Sequence, residues 1–219
     1  MQVHWKESRG EEPHGLLSVG VRRGIRYPLG MCAAWRDWYH AVGNTYGTWL
    51  PGDPRGWHTR KDRDHVEGDY TCPPPRGKYD TLHERSKGLM KRDEVTLQID
   101  HQQIVLDCLA ESLAFNEIPC VVMSVSSTHA HVLARFVRGR STSTGKLIAD
   151  PARHYFGIAR KRASRRLSEN GSIPPGGLWS KRTTVVPIAD QEHFENVVGY
   201  IQRHIQEGAV IWINDDPHP

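Results

Sequence analysis

The 219-residue chain lacks most of the features that would settle its class at once. Its four cysteines, Cys32, Cys72, Cys108 and Cys120, are scattered with no C-x-x-C among them, which argues against a thiolate zinc site or a disulfide framework. No run approaches the roughly 18 consecutive apolar residues that a membrane span requires. The start MQVHWKESRGEEPHG also lacks the basic-then-apolar order of a secretory leader. No membrane association and a cytoplasmic location are therefore expected. There is no internal repeat, and no H-E-x-x-H that would mark a zinc hydrolase with its general base.

What is present is a polar, mildly basic chain. Hydrophobic residues make up 37% and charged residues 25%, so a globular fold with a core of good size is expected rather than disorder. Lys and Arg number 29 against 25 acidic residues, a net charge of +4 that suits an anionic partner without demanding one.

Residues 1–38 carry turn signals but no apolar period and read as an N-terminal extension, poorly tied down. One domain is expected over 39–213, with a short tail at 214–219. It opens with a strand at about 39 to 49, followed by a long Gly/Pro/Asp/Arg/His loop at 51–78 of the size that usually carries function. The stretch VTLQIDHQQIVLDCLAESLAFNEI has helical apolar spacing and stops before Pro119. PCVVMSVSS and THAHVLARFV read as a hairpin turning at Ser126–Thr128. DPARHYFGIARKRASRRLSENG reads as a basic helix starting at Asp150-Pro151 and stopping at Gly171. A strand in WSKRTTVVPI and a final helix in DQEHFENVVGYIQRHIQEGAV complete the order β-α-β-β-α-β-α. That order predicts an α+β fold of ferredoxin-like kind, an antiparallel sheet with helices packed on one face.

The chemistry-bearing residues sit on the hairpin and the last helix. Side chains alternate along a strand, so His129 and His131 share a face about 7 Å apart, close enough to converge on one metal ion. A bare H-x-H is more often a pair of solvated histidines, and a third ligand is needed to decide. On the last helix Phe194, Val197, Val198, Ile201 and Ile205 form an apolar stripe, with Tyr200 and His204 stacked four apart along its margin. His193, on the same margin, competes as a ligand. Tyr200 read without its neighbours is an amphipathic tyrosine with a wet hydroxyl.

Three stretches together, TYGTWLPGD at Thr45–Asp53, VVMSVSSTHAHVLARF, and GYIQRHIQEGAVIW, resemble the HUH single-strand nucleases, and among them the one-tyrosine transposases of the IS200-like and REP-associated kind. The resemblance spans about residues 39 to 213. It departs from that family in Ser126-Ser127-Thr128 before the histidines, in Ala130 between them, and in His204 where many relatives carry Gln. The resemblance implies a transposase and single-strand endonuclease in which His129, His131 and His204 hold Mg²⁺ or Mn²⁺ and Tyr200 attacks the scissile phosphate. A 5′-phosphotyrosine link and a free 3′-hydroxyl would follow, and the linked strand would then be rejoined to another. Three imidazoles suit Mn²⁺ better than Mg²⁺ and would also hold Zn²⁺. Single-stranded DNA hairpins are the implied partner and a homodimer the implied assembly. Arg153, Arg160, Lys161, Arg162, Arg165 and Arg166 on the basic helix, with Lys181, Arg182 and Trp57, are the candidate nucleic-acid contacts. Two other readings stand beside this one: a hairpin-binding protein that does not cut, and a zinc hydrolase using the same three histidines.

Overall fold

The computed structural model describes residues 35–55, 57, 75 and 77–214. The expectations for Cys32, Cys72 and most of the segments 1–38 and 51–78 fall outside these residues, as does nearly all of the tail at 214–219.

Five strands form one antiparallel sheet. They are β1 (Trp38–Asn44), β2 (Cys120–Val125), β3 (His129–Arg135), β4 (Thr184–Pro187) and β5 (Val210–Ile213), in the spatial order β4-β1-β3-β2-β5. The helices are α1 (Asp80–Gly88), α2 (Ile99–Phe115), α3 (Pro151–Glu169) and α4 (Gln191–Arg203), with one 3₁₀ turn at His204–Glu207. The α+β class and the hairpin are as the sequence predicts. The turn between β2 and β3 falls at Ser126–Thr128, closed by Ser126 N–H donating to the His129 carbonyl at 2.9 Å.

α3 forms where its caps require. The Asp150 side chain accepts from Arg153 N at the first turn, Pro151 takes the position that needs no N–H, and Gly171 follows the helix with φ +67°. Its apolar face, with Phe156, Ala159, Ala163 and Leu167, packs with Leu106, Leu109 and Leu113 of α2 over Met123, Ala130, Val132 and Ala134 of the sheet.

Four features depart from the sequence expectations. Helices are expected on one face of the sheet, but α4 covers the other, where Phe194, Val197 and Ile201 bury against Trp38, Val122 and Leu133. Apolar periodicity reveals that a helix has a buried face, not which side of a sheet receives it. The first strand ends at Asn44 rather than about 49, because Thr45–Asp53 turns on itself, with Gly47 at φ +81° and Gly52 at φ +86°. An added Cβ at Gly52 would lie 2.5 Å from the His83 nitrogen, so α1 can pack there only against glycine. The final helix is shorter than expected: it tightens into the 3₁₀ turn at His204, reverses at Gly208 (φ +79°) and returns as β5, paired with β2. Periodicity gives no sign of α1, between the long loop and α2, because none of its residues is buried.

The residues ahead of β1 are tied down from Trp35 onward. Trp35 and Trp38 enclose Phe194 with ring centroids 4.9 and 5.4 Å away.

A histidine cluster beside Tyr200

Alternation along β3 places His129, His131 and Leu133 on the α4 side of the sheet, while Ala130, Val132 and Ala134 enter the larger core. His204, at the end of α4, reaches down to the same point. One ring nitrogen from each of His129, His131 and His204 lies within 4.8 Å of the others. Among the described residues this is the group of His, Cys, Asp and Glu side chains arranged to hold a metal ion.

The hydrogen bonds around each ring define which nitrogen is free. His204 Nδ1 lies 3.1 Å from the Tyr200 carbonyl oxygen, which can only accept, so Nδ1 carries the proton and Nε2 presents a lone pair. That Nε2 is 3.1 Å from Nε2 of His129. The other nitrogen of His129 meets the hydroxyls of Ser126 and Thr128, each at 3.0 Å. His131 Nδ1 is 2.9 Å from Nε2 of His40, while His131 Nε2 is buried with no hydrogen-bond partner.

These residues fit a divalent ion. Two imidazole nitrogens bound at about 2.0–2.1 Å stand roughly 3 to 3.4 Å apart, near the separation of the two facing Nε2 atoms. The orphaned Nε2 of His131 would be the third ligand, and its lack of a partner is costly in any other role. Each ring's second nitrogen is held by a neighbour, the support that fixes imidazole orientation in metal sites.

The electrostatics favour the neutral, metal-binding form. Burial, followed by the charges of His204 and Arg55, lowers the His129 pKa to about 4. His40 is lowered to about 4, by burial first and then by His193 and His204. Burial and the surrounding histidines hold His131 well below the usual imidazole range.

Tyr200 stands over this cluster. Its ring centroid is 5.3 Å from His131, 4.8 Å from His204 and 6.1 Å from His40, edge-on in each case. The side chain is 41% exposed, so the phenol is reachable from solvent. Burial of the rest of the ring, then the charge of Glu207, raises its pKa, with Arg203 opposing.

The segment Thr45–Arg55 supports the cluster from beneath. The hydroxyls of Thr45 and Thr48, both buried, donate to the Thr128 carbonyl at 3.0 and 3.2 Å, and Thr45 N–H donates to it at 2.8 Å. Thr128 in turn carries the hydroxyl that meets His129. Asp53, 3% exposed, grips Arg55 through both carboxylate oxygens, at 2.8 and 2.6 Å.

The other predicted contacts separate into two groups. Arg160 is buried, bonded to Thr183 Oγ1 and to the Ser180 carbonyl at 2.6 Å, and lies 5.0 Å from the Trp179 ring; burial lowers its pKa to about 10. It closes α3 onto the segment before β4. Trp57 is 4% exposed and packs edge-on to Tyr79, which leaves little of its ring for stacking on a ligand. Lys161, Arg165, Arg166, Lys181 and Arg182 are exposed. Arg153 is held by Asp150 and the Thr183 carbonyl, Arg162 by Glu111 and Arg165 by Glu169. Exposed Lys161 and Arg165 line an open groove of about 470 Å³ with Gly177 and Trp179. His193 does not join the cluster; its Nδ1 accepts from Ala189 N–H at 3.2 Å near the start of α4.

Sequence reasoning missed His40. It lies on β1, two residues before the Val42 that pairs with His131, on the same face of the sheet. Strand alternation combined with the register of β1 on β3 would have found it.

No family model and no curated protein matches the chain. A solved structure described as a REP-associated tyrosine transposase bound to a REP hairpin aligns over 78% of this chain and 68% of that one, with a TM-score of 0.40 and 9% identity. That superposition is loose, and what can be said of function rests on the residues themselves.

Proposed function

We propose that the protein is a single-strand DNA endonuclease and strand transferase of the HUH one-tyrosine kind, acting on hairpin-bearing DNA. One observation carries the reading: three imidazole nitrogens converge, one of them buried without a partner, beneath a tyrosine whose ring is 4.8 Å from one ligand and 5.3 Å from another. A zinc-hydrolase reading would ask for a carboxylate base at the ligands, and among the described residues the group that could hold a metal ion consists of histidines. The strand order β4-β1-β3-β2, with α2 between β1 and β2 and α3 between β3 and β4, supports reading the α+β fold as ferredoxin-like with β5 added at one edge.

A bound divalent ion, Mn²⁺ or Mg²⁺ by resemblance and Zn²⁺ by ligand chemistry, would withdraw charge from the scissile phosphate. The chain's own groups do the rest. His40, Ser126, Thr128 and the Tyr200 carbonyl hold the three ligand rings in orientation. Tyr200 Oη forms the bond to phosphorus as the bond from phosphorus to the 3′ oxygen breaks. The leaving 3′ oxygen ends as a hydroxyl, and the phenol gives up its proton. A raised phenol pKa means the proton is still in place at neutral pH, so attack and proton loss accompany one another. The phosphotyrosine conserves the phosphodiester, and a second 3′-hydroxyl reverses the step without ATP.

The products test this reading. Labelled single-stranded hairpins drawn from the DNA flanking the gene, incubated with the protein and Mn²⁺, should yield a fragment whose 3′ end a polymerase can extend, with the complementary fragment bound to protein. Fragments carrying 3′-phosphates, or free 5′-phosphates with no protein attached, would count against it.

A further inference from the structure

The segment Thr45–Arg55 does more than brace the histidines. Arg55 is tightly held: Nε and Nη2 bind Asp53, and Nη2 also donates to the Thr48 carbonyl at 2.5 Å. The guanidinium lies 4.6 Å from the Trp49 ring centroid, yet the side chain is 51% exposed. Among the described residues no hydrogen-bond partner meets its Nη1 edge. The path to the cluster is short: Arg55 to the Thr48 carbonyl, Thr48 Oγ1 to the Thr128 carbonyl, and Thr128 Oγ1 to His129 Nδ1.

An arginine fixed through Nε and Nη2 keeps its Nη1 hydrogens for a single anionic oxygen at little entropic cost. Trp49, 41% exposed beside it, adds an aromatic surface. We infer that Arg55 and Trp49 form a nucleotide-holding pair at the rim of the histidine cluster, Arg55 taking a phosphodiester oxygen of single-stranded DNA and Trp49 stacking on a base. The assignment rests on the nuclease reading and deepens it. It also moves the stacking role from the buried Trp57 to Trp49, eight residues earlier.

Salt dependence gives a readout that a merely bracing role would not move. Loss of one phosphate contact to a single strand lowers the slope of log K against log[salt] by about 0.7. For binding of the labelled flanking hairpin, Arg55→Gln should lose that increment. Asp53→Asn, which frees the guanidinium without removing its charge, should weaken binding and keep the slope. An unchanged slope in Arg55→Gln would overturn the assignment. Should that variant fail to fold, the wild type still decides: photocross-linking to a 5-iodouracil-substituted strand should map to the peptide bearing Trp49, and cross-links confined to other segments would overturn the pairing. If Tyr200→Phe abolishes the covalent adduct while Arg55→Gln keeps wild-type slope, the inference fails and the nuclease reading stands. In a wild type that binds with an Arg55-dependent slope but forms no adduct, the pair stands and the nuclease reading fails. A wild type that binds no hairpin overturns both.

Discussion

His40 Nε2 lies 2.9 Å from His131 Nδ1, with the two rings stacked at 5.1 Å. With His131 Nδ1–H donating across this bond, the buried and otherwise partnerless Nε2 of His131 would carry the lone pair that a metal ion needs. His40→Phe keeps the ring and removes the acceptor. Supports of this kind are worth about 10- to 100-fold in metal affinity, and Mn²⁺ or Zn²⁺ titration by calorimetry should show a loss in that range. Unchanged affinity would mean His131 is oriented by packing alone.

The histidines also set a pH dependence. Folded pKa values near 4 for His40 and His129 lie below the unfolded value of 6.5, so folding favours the neutral rings. Their contribution is fully present above pH 6.5 and is lost as pH falls toward 4, because the unfolded chain takes up protons that the native one refuses. Asp53, whose pKa is lowered by its bonds to Arg55 despite burial, acts in a separate window below its usual 3.8. Melting of metal-free protein should show Tm falling steadily from pH 6.5 to 4.5. His40→Phe should flatten part of that decline, and a flat wild-type profile would contradict it.

Thr45 and Thr48 should matter beyond their own hydroxyls. Each donates to the Thr128 carbonyl, and Thr45→Val places a methyl where a buried polar network closes. Such a loss costs about 1–3 kcal/mol. Urea unfolding should register it, together with weaker metal binding through the displaced Thr128 hydroxyl.

The basic helix should divide by burial rather than by charge. Arg160→Ala removes the tie between α3 and residues 180–183 and should lower stability by about 2–4 kcal/mol, whatever it does to DNA. Arg165→Ala, on a side chain 80% exposed, should leave Tm within a degree or two and weaken binding of hairpin DNA. Equal effects of the two on stability would contradict the division.

How much of this could be read beforehand follows from what each signal encodes. His129 and His131 are legible because alternation needs only a strand, and α3 because its caps, Asp150-Pro151 and Gly171, are local chemistry. Tyr200 and His204 are legible as helix neighbours. His40 is not, since one histidine in a strand means nothing until the partner strand's register is known. The stretch Thr45–Trp49 reads as a strand through Thr, Tyr and Trp, but its hydroxyls bond to Thr128 and Gly47 bends the chain, which only tertiary structure reveals. β5 escapes because four residues after a helix carry no period of their own. Charge alone does not distinguish the buried Arg160 from its exposed neighbours.

The most direct test is a denaturing gel of wild type and Tyr200→Phe with labelled flanking hairpin DNA, in Mn²⁺ or in EDTA. A protein-linked label that forms in wild type with metal, and is absent both with EDTA and in the phenylalanine variant, is the predicted result. Hairpin retarded on a native gel with no linked label in any metal would contradict the account and leave a protein that grips DNA without cutting it.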